Sequence, residues 1–414
     1  MNHQTARHCH VFASGRGSLW LLLFIMILMF SCKQKTTRHY GFITLLGNDT
    51  ISVESITKQG NSFKSDEVDR FPRVRVRHTV IDLYPNGSIK HLVMDIHTPS
   101  EPAKQRDRKV VADVTDSAVH LSKTDGTGTL KYNFPTGGAL VVAHVEQMYS
   151  LYELYFAAAM KYRAASKTEA GNTVPLRQFY IDREFDHFPL GHATVRLSED
   201  GRAAVNHDWL SGTGNAIMDS SFDMLSYSGA NTTYKVEVRR LSSSPDVKSI
   251  ASRFEDIEAK SGPVKALSVR DTVSAKIGDA SFTIDYSRPL LRGRKLLGDV
   301  IPYERVWRTG ANAATQFTLS APIKLAGIAV PAGTYTLWTL PHPKGADLIV
   351  NKQSGQWGTE YNSSFNLGTA KMDSQQLSSP VEEFTMSIVP VDKQRGTLVI
   401  EWGSFRWTAP IEVK

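Results

Sequence analysis

Six basic side chains fall between Tyr286 and Asn312: Arg288, Arg292, Arg294, Lys295, Arg305 and Arg308. Only Asp299 and Glu304 oppose them in that stretch. Guanidinium forks match the paired oxygens of carboxylates and phosphates. Trp307, Trp338 and Trp357 add flat faces on which a sugar ring can stack. A ligand site built from Tyr286, Arg288, Arg294, Trp307, Arg308, Asn312, Trp338 and Trp357 would take an anionic or glycan small molecule. A structural role is the other reading. Arg288 and Arg308 would then tie a long crossover to carbonyls or to Glu401, with the tryptophans filling a core.

Metal chemistry has a weaker basis. Asp186, His187, His192, His207 and Asp208 gather in one region. Phe188 to Gly191 separates the first two histidines, so they share neither a helical nor a strand face, and no HExxH spacing occurs. No metal site is expected. Hydrolase and cofactor signatures are absent as well. There is no G-x-S-x-G elbow and no dinucleotide fingerprint, and Ser211 to Gly214 does not join a strand to a helix as a phosphate loop does. No cofactor is expected, and acid pairs for sugar hydrolysis cannot be assigned.

The elements that must position these residues begin with the N-terminus. Arg7 and Arg16 precede an unbroken apolar run, Leu19 to Phe30. A bilayer-spanning helix needs about 20 residues, so this shorter run suits the apolar region of a secretory signal. It ends in Ser31-Cys32, and a small residue directly before cysteine resembles a bacterial lipoprotein signal. That resemblance implies that Cys32 becomes the lipidated first residue, facing the periplasm or cell surface. Met29 and Phe30 depart from the usual residues of the pattern. The chain has two cysteines, Cys9 and Cys32. Cleavage before Cys32 leaves no thiol for a disulfide, a zinc site or a nucleophile. Hydrophobic residues make up 41% of the chain and charged ones 21%, an ordinary globular balance. The net charge of +7 is diffuse, without the basic block of a nucleic-acid arm. Nucleic acid is therefore not expected as a partner.

Residues 1–31 thus read as a signal peptide and 32–40 as a tether. Residues 41–243 alternate strands and turns, with Asn86-Gly87 suited to a two-residue hairpin. Arg73 to Val80 alternates, with Val74, Val76 and Val80 on one face. The arginines Arg73, Arg75 and Arg77 lie on the other, read as the solvated side of an antiparallel sheet. One long helix is predicted over 145–162, with apolar residues from Val145 to Met160 at helical spacing. It would pack across the sheet or lid an apolar cavity, an arrangement that resembles periplasmic lipoprotein carriers. Thr232 to Val238 reads as the last strand of this domain. A connecting helix over 244–263 has Ser244 to cap it and Gly262-Pro263 to end it.

Residues 264–414 show about nine short strands separated by turn signals, the spacing of a β-sandwich. YSRP at 286–289, GRK at 293–295, WRTGAN at 307–312, PAGTYTL at 331–337, GQWGTEY at 355–361 and LVIEW at 398–402 are motifs of this region. On these it resembles the bacterial domain of unknown function 2911. The resemblance implies a small β-rich domain on exported bacterial proteins and implies no activity.

The chain is therefore expected to be mainly β: an N-terminal curved antiparallel sheet with one long helix, then a C-terminal β-sandwich. The expected role is a cell-envelope lipoprotein that binds an anionic, glycan or apolar small ligand, or supports the envelope, without catalysis. An envelope hydrolase assembled from distant loops is the alternative. Cys32→Ala should abolish labelling with a radioactive fatty acid, and persistent labelling would contradict the lipid anchor.

Overall fold

A computed structural model describes residues 36–414, apart from 168, 170, 182–189, 209, 222 and 265–267. Cys32 and the apolar run before it lie outside the described residues, as do Asp186 and His187.

Fifteen strands form one large N-terminal sheet. Thr37–Leu46 is its centre. On one side the strands follow sequence order out to an edge at Gly128–Pro135. On the other side Thr37–Leu46 pairs with the last strand, Glu237–Leu241, and the order runs back to an edge at Val141–His144. Neighbours are antiparallel with one exception. Val141–His144 runs parallel to Thr173–Tyr180. A helix lies between these two strands in sequence, and such a crossover returns the chain in the same direction.

Three helices are described: α1 over Ala103–Arg106, α2 over Ser150–Ser166 and α3 over Val247–Ser261. The crossover is α2. It starts later than its apolar spacing predicts, because Val145 to Tyr149 form turns and Gln147 takes a φ of 72°. It ends at Lys167, in the left-handed region, whose N–H bonds the Arg163 carbonyl. Leu151, Tyr152, Leu154, Tyr155, Phe156, Ala158 and Ala159 are all buried, so α2 is covered on more than one face. Burying side chains as large as Tyr155 or Phe156 contributes about 1.5–3 kcal/mol each. The helix packs into the core of the sheet, against the strands Val141–His144, Thr173–Tyr180 and Gly191–Leu197. The cavity described below lies at its N-terminal end.

The arginine strand faces the other way from the reading above. Arg77 is fully buried and pairs with Glu67 at 2.7 Å and with Asp69. The partner strand places Glu67 directly opposite Arg77 and Asp69 opposite Arg75. Arg77, Thr79, Ile81 and Leu83 therefore line the interior. Both faces are covered here, since α3 packs outside on Val53, Val68 and Val74. Alternation tells which residues share a face but not which face is wet. Breaking such a buried pair strands an uncompensated charge and costs about 3–5 kcal/mol. Two smaller readings also shift. Asp246, not Ser244, caps α3 by accepting from the Ser249 N–H. The last strand starts at Glu237 rather than Thr232, because the Thr232 hydroxyl bonds the Gly229 and Tyr234 carbonyls in a turn.

The C-terminal region is two sheets of six and four strands. Ser268–Ile277, Ala280–Pro289, Thr315–Leu319, Gly333–His342, Gly345–Asn351 and Asn366–Lys371 make the larger. The long hairpin Asp373–Pro390 and Arg395–Val413 dominates the smaller. Phe282, Phe317, Phe384, Trp402 and Trp407 meet in the core between them.

Candidate functional site: the cleft between the domains

The strand Asp49–Gln59 positions one side of the cleft. The Ser52 hydroxyl donates to the Gln147 carbonyl at 2.8 Å. Two residues on, Glu54 accepts from the Tyr149 N–H at 2.8 Å, the Ser150 N–H at 3.2 Å and the Ser150 hydroxyl. A carboxylate at a helix N-terminus satisfies donors that lack partners within the helix. Burial wins over these bonds and pushes the Glu54 carboxyl up to about 7. One turn further, Glu153 accepts from Tyr40, from Arg240 at 2.9 Å and from the Met224 N–H at 3.0 Å. The segment from His144 to Tyr149 is thereby fixed as a wall.

The crossover from Leu290 to Ala314 supplies the other side. Trp307 and Thr339 exchange backbone bonds at 2.7 and 2.9 Å, and the Gly358 N–H donates to the Asn312 carbonyl at 3.0 Å. The same crossover joins the domains. The Asn48 N–H donates to the Arg292 carbonyl at 3.0 Å, and Arg292 pairs with Asp49. The chains run so close there that a Cβ on Gly47 would lie 2.1 Å from the Arg292 carbonyl oxygen.

Between these walls lies a cavity of about 650 Å³. His144, Gln147, Tyr149, Tyr152, His207 and Tyr234 line it from the N-terminal domain, and Arg308, Asn312 and Trp357 from the C-terminal one. Tyr152 and Tyr227 stack at 5.0 Å, with Tyr149 tilted beside them at 5.3 and 5.1 Å. The Tyr152 hydroxyl and His207 Nε2 share a hydrogen bond of 2.9 Å, and His207 Nδ1 is buried without a partner among the described residues. Burial drives the imidazole down to about 4, against the pull of Asp208, so His207 is neutral at pH 7. Burial would raise the Asp208 carboxyl, yet hydrogen bonds from Tyr180, the His192 N–H and Gln178 outweigh it and hold it low. Asp208 is thus committed to its own framework, and no metal-binding group of three or more appears among the described residues.

A second lobe of about 430 Å³ shares Thr233, Tyr234, Ser268 and Arg308 with the first. Lys235, Arg292, Arg294 and Arg305 border it, beside Trp307 and Trp338. Arg308 is the hinge between the lobes. Its side chain makes no hydrogen bond or ion pair among the described residues, and Nε is cut off from solvent. Burial pushes its guanidinium below the ordinary value. Gly358 makes room for it, since a Cβ there would sit 2.0 Å from Arg308 Cδ.

The residues singled out by sequence divide. Arg308, Asn312 and Trp357 reach the first lobe; Arg294, Trp307, Trp338 and Arg308 reach the second. Trp338 is buried, donating to the Thr336 hydroxyl at 3.0 Å, and Trp307 stacks on Trp402 at 6.0 Å, so both serve the core as well. Arg294 donates to the Leu290 and Leu291 carbonyls. Tyr286 and Arg288 are elsewhere. Tyr286 is fully buried, its hydroxyl accepting from the Met386 N–H at 3.1 Å. Arg288 is tied to the Phe384 carbonyl, Asp271, Thr385 and Glu383. Their position is structural because the smaller sheet closes over them. Sequence reasoning missed Tyr149, Tyr152, Tyr234 and Lys235. Tyr149 and Tyr152 read as part of the apolar helix, and Tyr234 and Lys235 fell within the strand expected over Thr232 to Val238.

The fold is that of a mainly β protein with a large N-terminal sheet and two C-terminal sheets. Residues 268–411, the C-terminal domain, match the family described as "Protein of unknown function (DUF2911)". No curated protein matches the chain. Among solved structures, a DUF1089 family protein from Pseudomonas aeruginosa is 12% identical, with a TM-score of 0.34, covering 45% of this chain and 93% of that one. A β-barrel-like protein of DUF1849 from Brucella abortus is 10% identical, with a TM-score of 0.29, covering 50% of this chain and 94% of that one.

Chemical denaturation of the full chain separates the two kinds of arginine. Arg288→Ala should lower stability by about 1–3 kcal/mol, because it orphans buried groups. Arg308→Met should leave stability unchanged or raised, because it removes a half-buried charge that has no partner among the described residues. An equal loss in both variants would show that Arg308 is structural too.

Proposed function

We propose that the protein is a lipid-anchored component of the bacterial cell envelope that binds a small anionic ligand in the cleft between its domains. The observation that carries this reading is Arg308. A half-buried guanidinium without a counter-charge among the described residues is costly, and this one borders an open cavity with aromatic walls. An arriving carboxylate or phosphate would satisfy it in the bidentate manner. Cys32 and the apolar run before it support the anchor, which would hold the cleft at a membrane surface facing the periplasm or outside.

A binding role is favoured over hydrolysis by the state of His207, one of the two histidines that line the cleft. A general base works best with a pKa near the operating pH. His207, lowered to about 4, is a weak base whose Nε2 is already engaged by Tyr152. It is suited to hold a neutral hydrogen bond to a ligand rather than to take a proton from water.

The test is native mass spectrometry of the full chain purified in detergent from its own membranes. A bound anionic small molecule is expected in the wild type and should be lost from Arg308→Ala. Retention of the same molecule by Arg308→Ala would contradict the reading, as would a wild type that binds nothing.

A further inference from the structure

The second lobe has a charge imbalance that the first does not. Five cationic side chains line it, Lys235, Arg292, Arg294, Arg305 and Arg308, and none of its lining residues is an aspartate or glutamate. Among the described residues only Arg292 meets a carboxylate, Asp49. Arg294 is held by two backbone carbonyls, and Lys235 Nζ donates to the Ala230 carbonyl at 2.7 Å. The side chains of Arg305 and Arg308 have no hydrogen bond or ion pair among the described residues. The lobe thus concentrates about four unneutralised charges where solvent screening is reduced. Like charges gathered in a partly dry cleft repel one another, and a polyvalent anion converts that repulsion into binding energy.

We propose that this lobe binds a phosphate monoester group, with the rest of the ligand extending past Arg308 between Tyr234 and Trp357 in the aromatic lobe. The proposal rests on the reading of the cleft as a ligand site and names the ligand's charged end. A dianion answers the imbalance better than a carboxylate, which neutralises one charge. Its three terminal oxygens can also meet guanidinium forks arriving from both sides of the lobe. Lys235 comes from the N-terminal domain and the arginines from the C-terminal crossover, so the group bridges the two domains and braces them together.

The protonation of Lys235 supplies an independent readout. Burial, then Arg308, Arg294 and Arg305, push its ammonium down to about 8. The groups facing it are arginines, which keep their charge in this range. A bound dianion raises the lysine again, so binding near pH 8 takes up about half a proton per ligand. The phosphate itself is already fully ionised there and contributes none.

Titration calorimetry of the full chain in detergent tests this at pH 8 in buffers of different ionisation enthalpy. Glucose 1-phosphate is the soluble probe, with glucose and sodium chloride at matched ionic strength as controls. Dihexanoyl phosphatidic acid is the lipid headgroup probe, with dihexanoyl phosphatidylcholine as its control. One of the two esters should bind while its control does not, and the ester that binds more tightly identifies the source. Arg305→Ala should weaken binding about tenfold or more, the 1.4 kcal/mol or greater of a lost charge-assisted bond. Because Arg305 is exposed, its removal leaves the fold intact. Lys235→Met should weaken binding and abolish the proton uptake. Binding of neither ester, or binding unchanged by both substitutions, overturns the proposal. If native mass spectrometry then still finds an Arg308-dependent ligand without phosphate, the cleft reading survives alone.

Discussion

The arrangement of both domains depends on one buried strand and the carboxylate it carries. Asp49–Gln59 holds the Arg292 guanidinium at its first residue, the Gln147 carbonyl through Ser52, and the start of α2 through Glu54. Glu54 is fully buried and accepts from two backbone N–H groups and a hydroxyl. Removing such an acceptor would leave those donors unsatisfied inside the sheet, at about 1–3 kcal/mol each. The helix that fills the sheet, the turn that walls the cleft and the contact that seats the second domain are therefore set from one strand. Three of its side chains do this within six positions, Asp49 to Glu54.

The crossover from Leu290 to Ala314 answers from the other domain, and its arginines have separate duties. Arg294 closes the crossover on itself, while Arg292 docks it onto the first domain. Arg305 and Arg308 are left for the cleft. A structural guanidinium is surrounded by carbonyls and acids, as Arg288 is. A guanidinium kept for a ligand is recognised by the partners it lacks. On that criterion the cleft is an unfinished electrostatic arrangement, with aromatic walls on one side and excess positive charge on the other. His207 is by contrast neutral and Asp208 is held by its own hydrogen bonds.

Much of the fold was legible in the chain. Asn86-Gly87 marked a hairpin, strand alternation marked the two β regions, and the crowding of apolar residues from Val145 to Met160 marked the one long core helix. What misled was the assumption that charge faces water. Glu67, Asp69 and Arg77 alternate as a solvated face would, yet neutralise one another across adjacent strands inside the sheet. The site was legible only in part. Arg308, Asn312 and Trp357 came from a single stretch and its near neighbours, but Arg288 and Arg308 look alike until their surroundings are known. Lys235, Tyr149 and Tyr152 could not have been chosen, because their role appears only when a second domain, far along the chain, closes over them.

Whether an anion completes this cleft can be seen directly by diffraction. Crystals of the protein soaked in tungstate, a heavy analogue of phosphate, should show an anomalous peak between Arg305 and Arg308, within hydrogen-bond distance of both guanidinium groups. Peaks confined to the outer surface, with the space between those two side chains unoccupied at saturating tungstate, would contradict the account.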